Sequence, residues 1–191
     1  MQHSLEKILK TISGFDENVS VQQTNYLMGS ASVSGAYFSH CRKYRYTLWR
    51  IWETDKPLVM FIGLNPSTAT DQVDDPTIRR VTRFAKTLGY GGVFMMNCFP
   101  FITPDPEKLC LNDFAQNVND RLLIQLKGIC IDTIFAWGNF RAVKEHKRDI
   151  ELMKMFPGAK ALIINQDGSP RHPLYVKADT VPVIYSIKNI E

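Results

Sequence analysis

The chain has 191 residues, 45% of them hydrophobic and 22% charged, with a formal net charge of +4. This is an ordinary soluble globular composition, and the length fits one domain able to bury about two thirds of the surface its unfolded chain exposes. No apolar run approaches the roughly 20 residues of a membrane span, and Met1-Gln2-His3-Ser4 does not open a secretory signal, so a cytoplasmic protein without a membrane partner is expected.

Cys41, Cys98, Cys110 and Cys130 are scattered, with no CxxC pair. They read as free buried thiols, and no metal or cofactor is expected. The basic residues cluster: Arg42, Lys43, Arg45 and Arg50; Arg79, Arg80, Arg83 and Lys86; Arg141, Lys144, Lys147 and Arg148. Such clusters suit either a phosphate backbone or solvated helix faces.

In chain order, Leu5, Ile8, Leu9 and Ile12 predict a short amphipathic helix over residues 4–13, ended by Gly14. Residues 15–35 are polar, rich in Ser and Gly, and read as a loop or loosely attached arm. The expected organisation is therefore an extension over 1–35 and one α/β domain over 36–191. Tyr44 to Trp52 alternates bulky and polar side chains, as in an antiparallel strand at a sheet edge. Leu58–Ile62 is a buried strand running into Gly63-Leu64-Asn65-Pro66.

A helix follows, with Asp75 as N-cap, Pro76 at its first position and Gly89 closing it. Gly92–Asn97 predicts a second buried strand, 117–127 a helix, Ile131–Trp137 a third strand, 139–154 a helix with basic residues outside, and Lys160–Asn165 a fourth strand. Alternating strands and helices imply a three-layer α/β/α fold around a central, mainly parallel sheet. Ligands in such sheets sit beyond the carboxyl ends of the strands. Asn65, Asn97, Trp137 and His172 all fall at those ends and are expected to share one rim.

The segments GLNPS (Gly63–Ser67), VFMMN (Val93–Asn97), FAWGNF (Phe135–Phe140) and PRHPL (Pro170–Leu174) resemble, in order and spacing, the motifs of the uracil-DNA glycosylase superfamily. The likeness covers roughly residues 55–175. Over about 36–185, RYTLWRIW, GLNPSTA, DDPTIRR and HPLY resemble a narrower bacterial and phage family known as a domain of unknown function. Two positions depart from well-studied glycosylases: Asn65 stands where many carry Asp, and the closing loop reads His-Pro-Leu-Tyr in place of His-Pro-Ser-Pro.

The resemblance implies a monofunctional DNA glycosylase that hydrolyses the bond between sugar and a uracil-like or modified base in DNA. A role in defence against foreign DNA carrying bulky bases fits the setting of the narrower family. Asn65 and His172 would be catalytic. Gly63, Leu64, Pro66, Ser67, Asn97, Phe99, Trp137 and Arg171 would bind substrate, in a monomer acting on a flipped nucleotide. Asn65 would orient the water and His172 would donate a hydrogen bond to the departing base. Asn97 would read the base edge, and backbone N–H groups near Ser67 and Thr68 would hold a phosphate. Phe99, Phe101 and Tyr175 are candidates for stacking on the base.

Each residue alone has a plainer reading. Asn65-Pro66 serves as a turn, Asn97 as a strand-end cap and Trp137 as core. Asp74 and Asp75 are a possible metal pair, although helix capping accounts for Asp75. Asp71 or Asp74 is a candidate for the base that an amide cannot be. Ser67 lacks the G-x-S-x-G setting of an acyl nucleophile. An enzyme acting on free nucleosides or nucleotides, and a non-catalytic nucleic-acid-binding or inhibitor protein, are the competing functions.

Overall fold

The structure, a computed structural model, describes residues 19–27 and 31–186; the helix expected over 4–13 lies outside them. The protein is an α/β protein built on one eight-stranded mixed sheet, ordered β1-β2-β3-β5-β4-β6-β7-β8. Its strands are β1 (Val19–Leu27), β2 (Ala31–Ser39), β3 (Arg45–Ile51), β4 (Leu58–Gly63), β5 (Gly92–Asn97), β6 (Cys130–Phe135), β7 (Lys160–Ala161) and β8 (Val183–Ile184). Only β5-β4-β6-β7 are parallel to one another. β1, β2 and β3 extend the sheet antiparallel on one side, and β8 does so on the other. The sheet is therefore mixed, with a parallel centre.

The first two strands correct the expectation of a loop over 15–35, and the boundary expected at residue 35 falls inside β2. β3 is likewise no edge strand: it lies between β2 and β5, buried along most of its length. The close approach depends on Gly35, where a Cβ would come within 2.1 Å of the Trp49 ring.

The helices are α1 (Pro76–Thr87), α2 (Asp113–Lys127), α3 (Arg141–Glu145) and α4 (Arg148–Met155). Asp75 caps α1 by accepting the Ile78 N–H at 2.8 Å, and Gly89 follows its end with φ +85°. Asn112 caps α2 by accepting from Ala115, so that helix starts before the expected residue 117. The single helix expected over 139–154 is broken at Lys147, whose φ is 54°. The break turns Arg148 inward, where it ion-pairs with Asp120 and with Glu151 (2.9 Å) and donates to the Cys98 carbonyl (3.0 Å). β7 is shorter than expected because the chain turns back at Asn165–Ser169, where Gly168 N–H donates to Asn165 O and Asn165 N–H to Ser169 O.

The two faces of the sheet carry separate cores. Ile78, Val81, Phe84 and Ala85 of α1 pack with Val59, Phe61 and Val93. Val118, Leu122 and Leu126 of α2 and Leu152 of α4 pack on the opposite face with Met60, Ile62 and Phe94. Chain leaving β4 therefore goes to one face and chain leaving β5 to the other. The two strands are neighbours, so a crevice opens beyond their carboxyl ends.

Candidate functional site

Hydrogen bonds carry the pairing past the ends of β4 and β5. Cys98 N–H donates to Gly63 O at 2.8 Å, Phe99 N–H to Leu64 O at 3.0 Å and Thr103 N–H to Pro66 O at 3.0 Å. The loop after β4 is held from the other side by Arg45 of β3, which donates to Ala69 O, and by Arg50, which donates to Thr70 O and pairs with Asp74.

Between these loops, the start of α1 and the closing loop lies an inner cavity of about 140 Å³. Gly63, Leu64, Asn65, Ser67, Asn97 and His172 are in its wall, together with Arg45, Asp75, Thr77 and Phe140. A wider depression of about 710 Å³ adjoins it, sharing His172 and Phe140, and adds Asn139, Asn165, Arg171 and Tyr175.

The Asn65 amide is fixed by its nitrogen, which donates to Pro66 O (2.9 Å), Thr103 O (2.8 Å) and Phe101 O (3.4 Å). What it can offer a ligand is therefore its oxygen, an acceptor only. Asn97 is buried beside it. Its amide is oriented with the nitrogen 3.3 Å from Asn65 O and 3.2 Å from Met96 O, because the opposite orientation would set an oxygen against two carbonyls. Much of its donor capacity thus steadies the loop that carries Asn65.

His172 precedes the 3-10 turn Pro173–Tyr175, and its Nδ1 accepts the Leu174 N–H at 3.4 Å. Burial pulls its pKa below the ordinary histidine value, and the Asp75 carboxylate opposes that only in part. The ring is then neutral at pH 7 with its hydrogen on Nε2, a donor. α1 holds the turn in place: Arg80 donates to Pro173 O (3.4 Å) and to Val176 O.

The other expected site residues lie elsewhere. Pro66 is buried in the loop and serves through its carbonyl. Trp137 is 2% exposed and packs on Phe135, with ring centroids 4.6 Å apart, beneath the site and outside its walls. Phe99 is buried in the same core against His146. Phe101 packs on Tyr44, away from the cavity. Tyr175, 77% exposed, stands in the outer depression with Arg171, whose Nε donates to Asn165 Oδ1 at 2.7 Å.

Asp71 and Asp74 line a different groove, between β3 and α1; Asp75 is the carboxylate of the inner cavity. The sequence offers Asp75 as a helix cap or as half of a metal pair with Asp74, not as a lone carboxylate in a cavity wall. Sequence reasoning also missed Phe140, the aromatic ring shared by both cavities, and it placed Arg45 among surface charges although that side chain is 2% exposed.

Four residues of the basic clusters are ion-paired within the fold: Arg50 with Asp74, Arg148 with Asp120, Arg141 with Glu145 and Lys144 with Asp167. Of the cysteines, Cys98 and Cys130 are buried as expected, whereas Cys41 and Cys110 are exposed. Among the described residues no helix is long and apolar enough to cross a membrane.

Fold and site together define an α/β protein with a small polar cavity at the point where chain from adjacent parallel strands diverges. The chain belongs to the family described as Protein of unknown function (DUF1643), whose model matches residues 45–174. Comparison with curated proteins and with solved structures gives no match.

Proposed function

We propose that this protein is a DNA glycosylase of the uracil-DNA glycosylase type, hydrolysing the N-glycosidic bond of a uracil-like or modified base to leave an abasic site. The observation that carries the reading is the polarity of the inner cavity. Asn65 is locked as an acceptor, Asp75 brings a carboxylate, and His172 is held as a neutral donor in the same wall.

Those are the groups the reaction needs. The C–N bond breaks with its electron pair going to the base, and charge grows on a base carbonyl that His172 can meet. The Asn65 oxygen orients a water toward the sugar carbon. Asp75 stabilises the sugar cation and takes the proton as the water oxygen bonds to carbon. The cavity is sized for one heterocycle and the outer depression for the rest of a nucleotide, with Phe140 at their junction. A flipped base entering from DNA would occupy the two in that order.

A second reading, hydrolysis of free nucleosides or nucleotides, is favoured by one observation. Four of the basic side chains expected to hold a DNA backbone, Arg50, Arg141, Lys144 and Arg148, are ion-paired within the fold. One experiment separates the two. The protein is incubated with oligonucleotides bearing uracil, mismatched thymine or hypermodified bases, and with the matching nucleosides. Abasic sites scored by alkaline cleavage support the glycosylase. Base release from nucleosides alone supports the second reading, and release from neither overturns both.

A further inference from the structure

Among the described residues, Arg45 is the charge the fold explains least. It lies on β3, 2% exposed, in the wall of the inner cavity. One nitrogen donates to the Ala69 carbonyl, and its buried Nε has no hydrogen-bond partner among the described residues. No carboxylate of the described residues is within ion-pair distance. Asp75, across the same cavity, acts on it only through the longer-range field, opposed by Arg50, and burial draws its pKa down to about 10. It is still a cation at pH 7. A buried, uncompensated cation is costly, and a neutral donor would serve the Ala69 carbonyl as well. The cavity and the unpaired nitrogen together are features of an anion site.

We infer that Arg45 makes the inner cavity a receptor for an acidic, carbonyl-bearing heterocycle held as its anion, with the guanidinium as counter-charge. The choice of a heterocycle over another planar anion rests on the glycosylase reading; the counter-charge does not. A cavity of about 140 Å³ holds about five water volumes, enough for a single ring but too little for a nucleotide. Asn65 supplies an amide oxygen and His172 a second donor, so a ring bearing both N–H and carbonyl groups finds partners. In a glycosylase, Arg45 would strengthen its hold as the base departs with the bonding electrons, which lowers the barrier and not merely the ground state.

The test uses the full chain and free bases, so it does not depend on DNA cleavage. Binding of uracil and of 5-fluorouracil, which ionises more readily, is measured by calorimetry between about pH 7 and pH 9, alongside inorganic phosphate. The expected result is roughly tenfold tighter binding of 5-fluorouracil as it ionises, lost in Arg45→Met and partly kept in Arg45→Lys. Arg45→Met should also keep or raise the melting temperature, because an apolar chain removes an uncompensated charge. If Arg45→Met lowers the melting temperature and leaves 5-fluorouracil binding and its pH dependence intact, or fails to fold while Arg45→Lys binds as the parent does, Arg45 is a structural clamp and the inference falls. Arg45-dependent binding of phosphate but of neither base would overturn the heterocycle, and failure of all three probes to bind would overturn the site.

Discussion

Asp75 accepts the Ile78 amide hydrogen and also faces the inner cavity. Asparagine caps a helix about as well as aspartate, so Asp75→Asn removes the charge and keeps the cap. We expect a melting temperature close to the parent and a single-turnover rate lower by about 10²–10⁴ on the best substrate. On the proposed glycosylase reading, His172→Ala should lower the rate by about 10²–10³ with little change in DNA affinity, since its hydrogen bond would strengthen as the base becomes an anion. The ring also sets a pH dependence. Its pKa in the fold is below the unfolded value of about 6.5, so the folded state disfavours the protonated ring. Stability from this residue is complete above about pH 6.5 and falls as the pH drops toward the folded value, because the unfolded chain binds the proton first. Denaturant melts of the parent and of His172→Gln across that range should diverge at the acidic end only. Both residues could be found in the sequence, His172 by its place after the last strand and Asp75 by the Asp-Pro helix start. The second duty of Asp75 was hidden because a cap already explained it.

Elements with one strong local signal were legible. β4 and β5 are unbroken apolar runs, and α1 has Asp-Pro at its start, an apolar stripe and Gly89 behind it. β2 was not, because Ser32, Ser34 and Gly35 give its first half the small, polar composition of a loop, although the serines alternate with Ala31 and Val33. Gly35 is small for a reason only the partner strand reveals: the Trp49 ring occupies its Cβ position. Gly35→Ala should cost about 1–3 kcal/mol in denaturant melts. Arg148 shows the same limit from the other side. It belongs to a basic stretch that reads as a solvated helix face, yet it is 2% exposed, because the left-handed turn at Lys147 swings it toward Asp120. Asp120→Asn would leave that cation only the more exposed Glu151 as a counter-ion. We expect a loss of about 2–3 kcal/mol, less than for a fully buried pair because Asp120 keeps 24% of its side-chain surface in solvent. The burial of Arg45 is hidden in the sequence for a related reason. Both faces of β3 are covered, and alternation along a strand does not disclose that.

At the scale of the molecule, the order of strands and helices points to the gap in which the inner cavity lies: the chain leaves β4 for one face and β5 for the other, and Asn65, Asn97 and His172 of the expected rim line that gap. What order alone could not supply was which side chains turn into that gap, since Trp137 sits at a strand end and still packs beneath it. The grip of Arg80 on the 173 and 176 carbonyls has a kinetic consequence. The first turn of α1 is one wall of the inner cavity, its middle holds the turn that follows His172, and the two are thereby yoked. A closing loop that swung alone would break both Arg80 bonds, so helix and loop are expected to move together against the sheet. Relaxation-dispersion NMR should then report one shared exchange rate for the amides of Thr77, Ile78, Leu174 and Tyr175. In Arg80→Ala the loop amides should exchange faster than those of the helix, and a shared rate surviving that substitution would show that some other contact joins them.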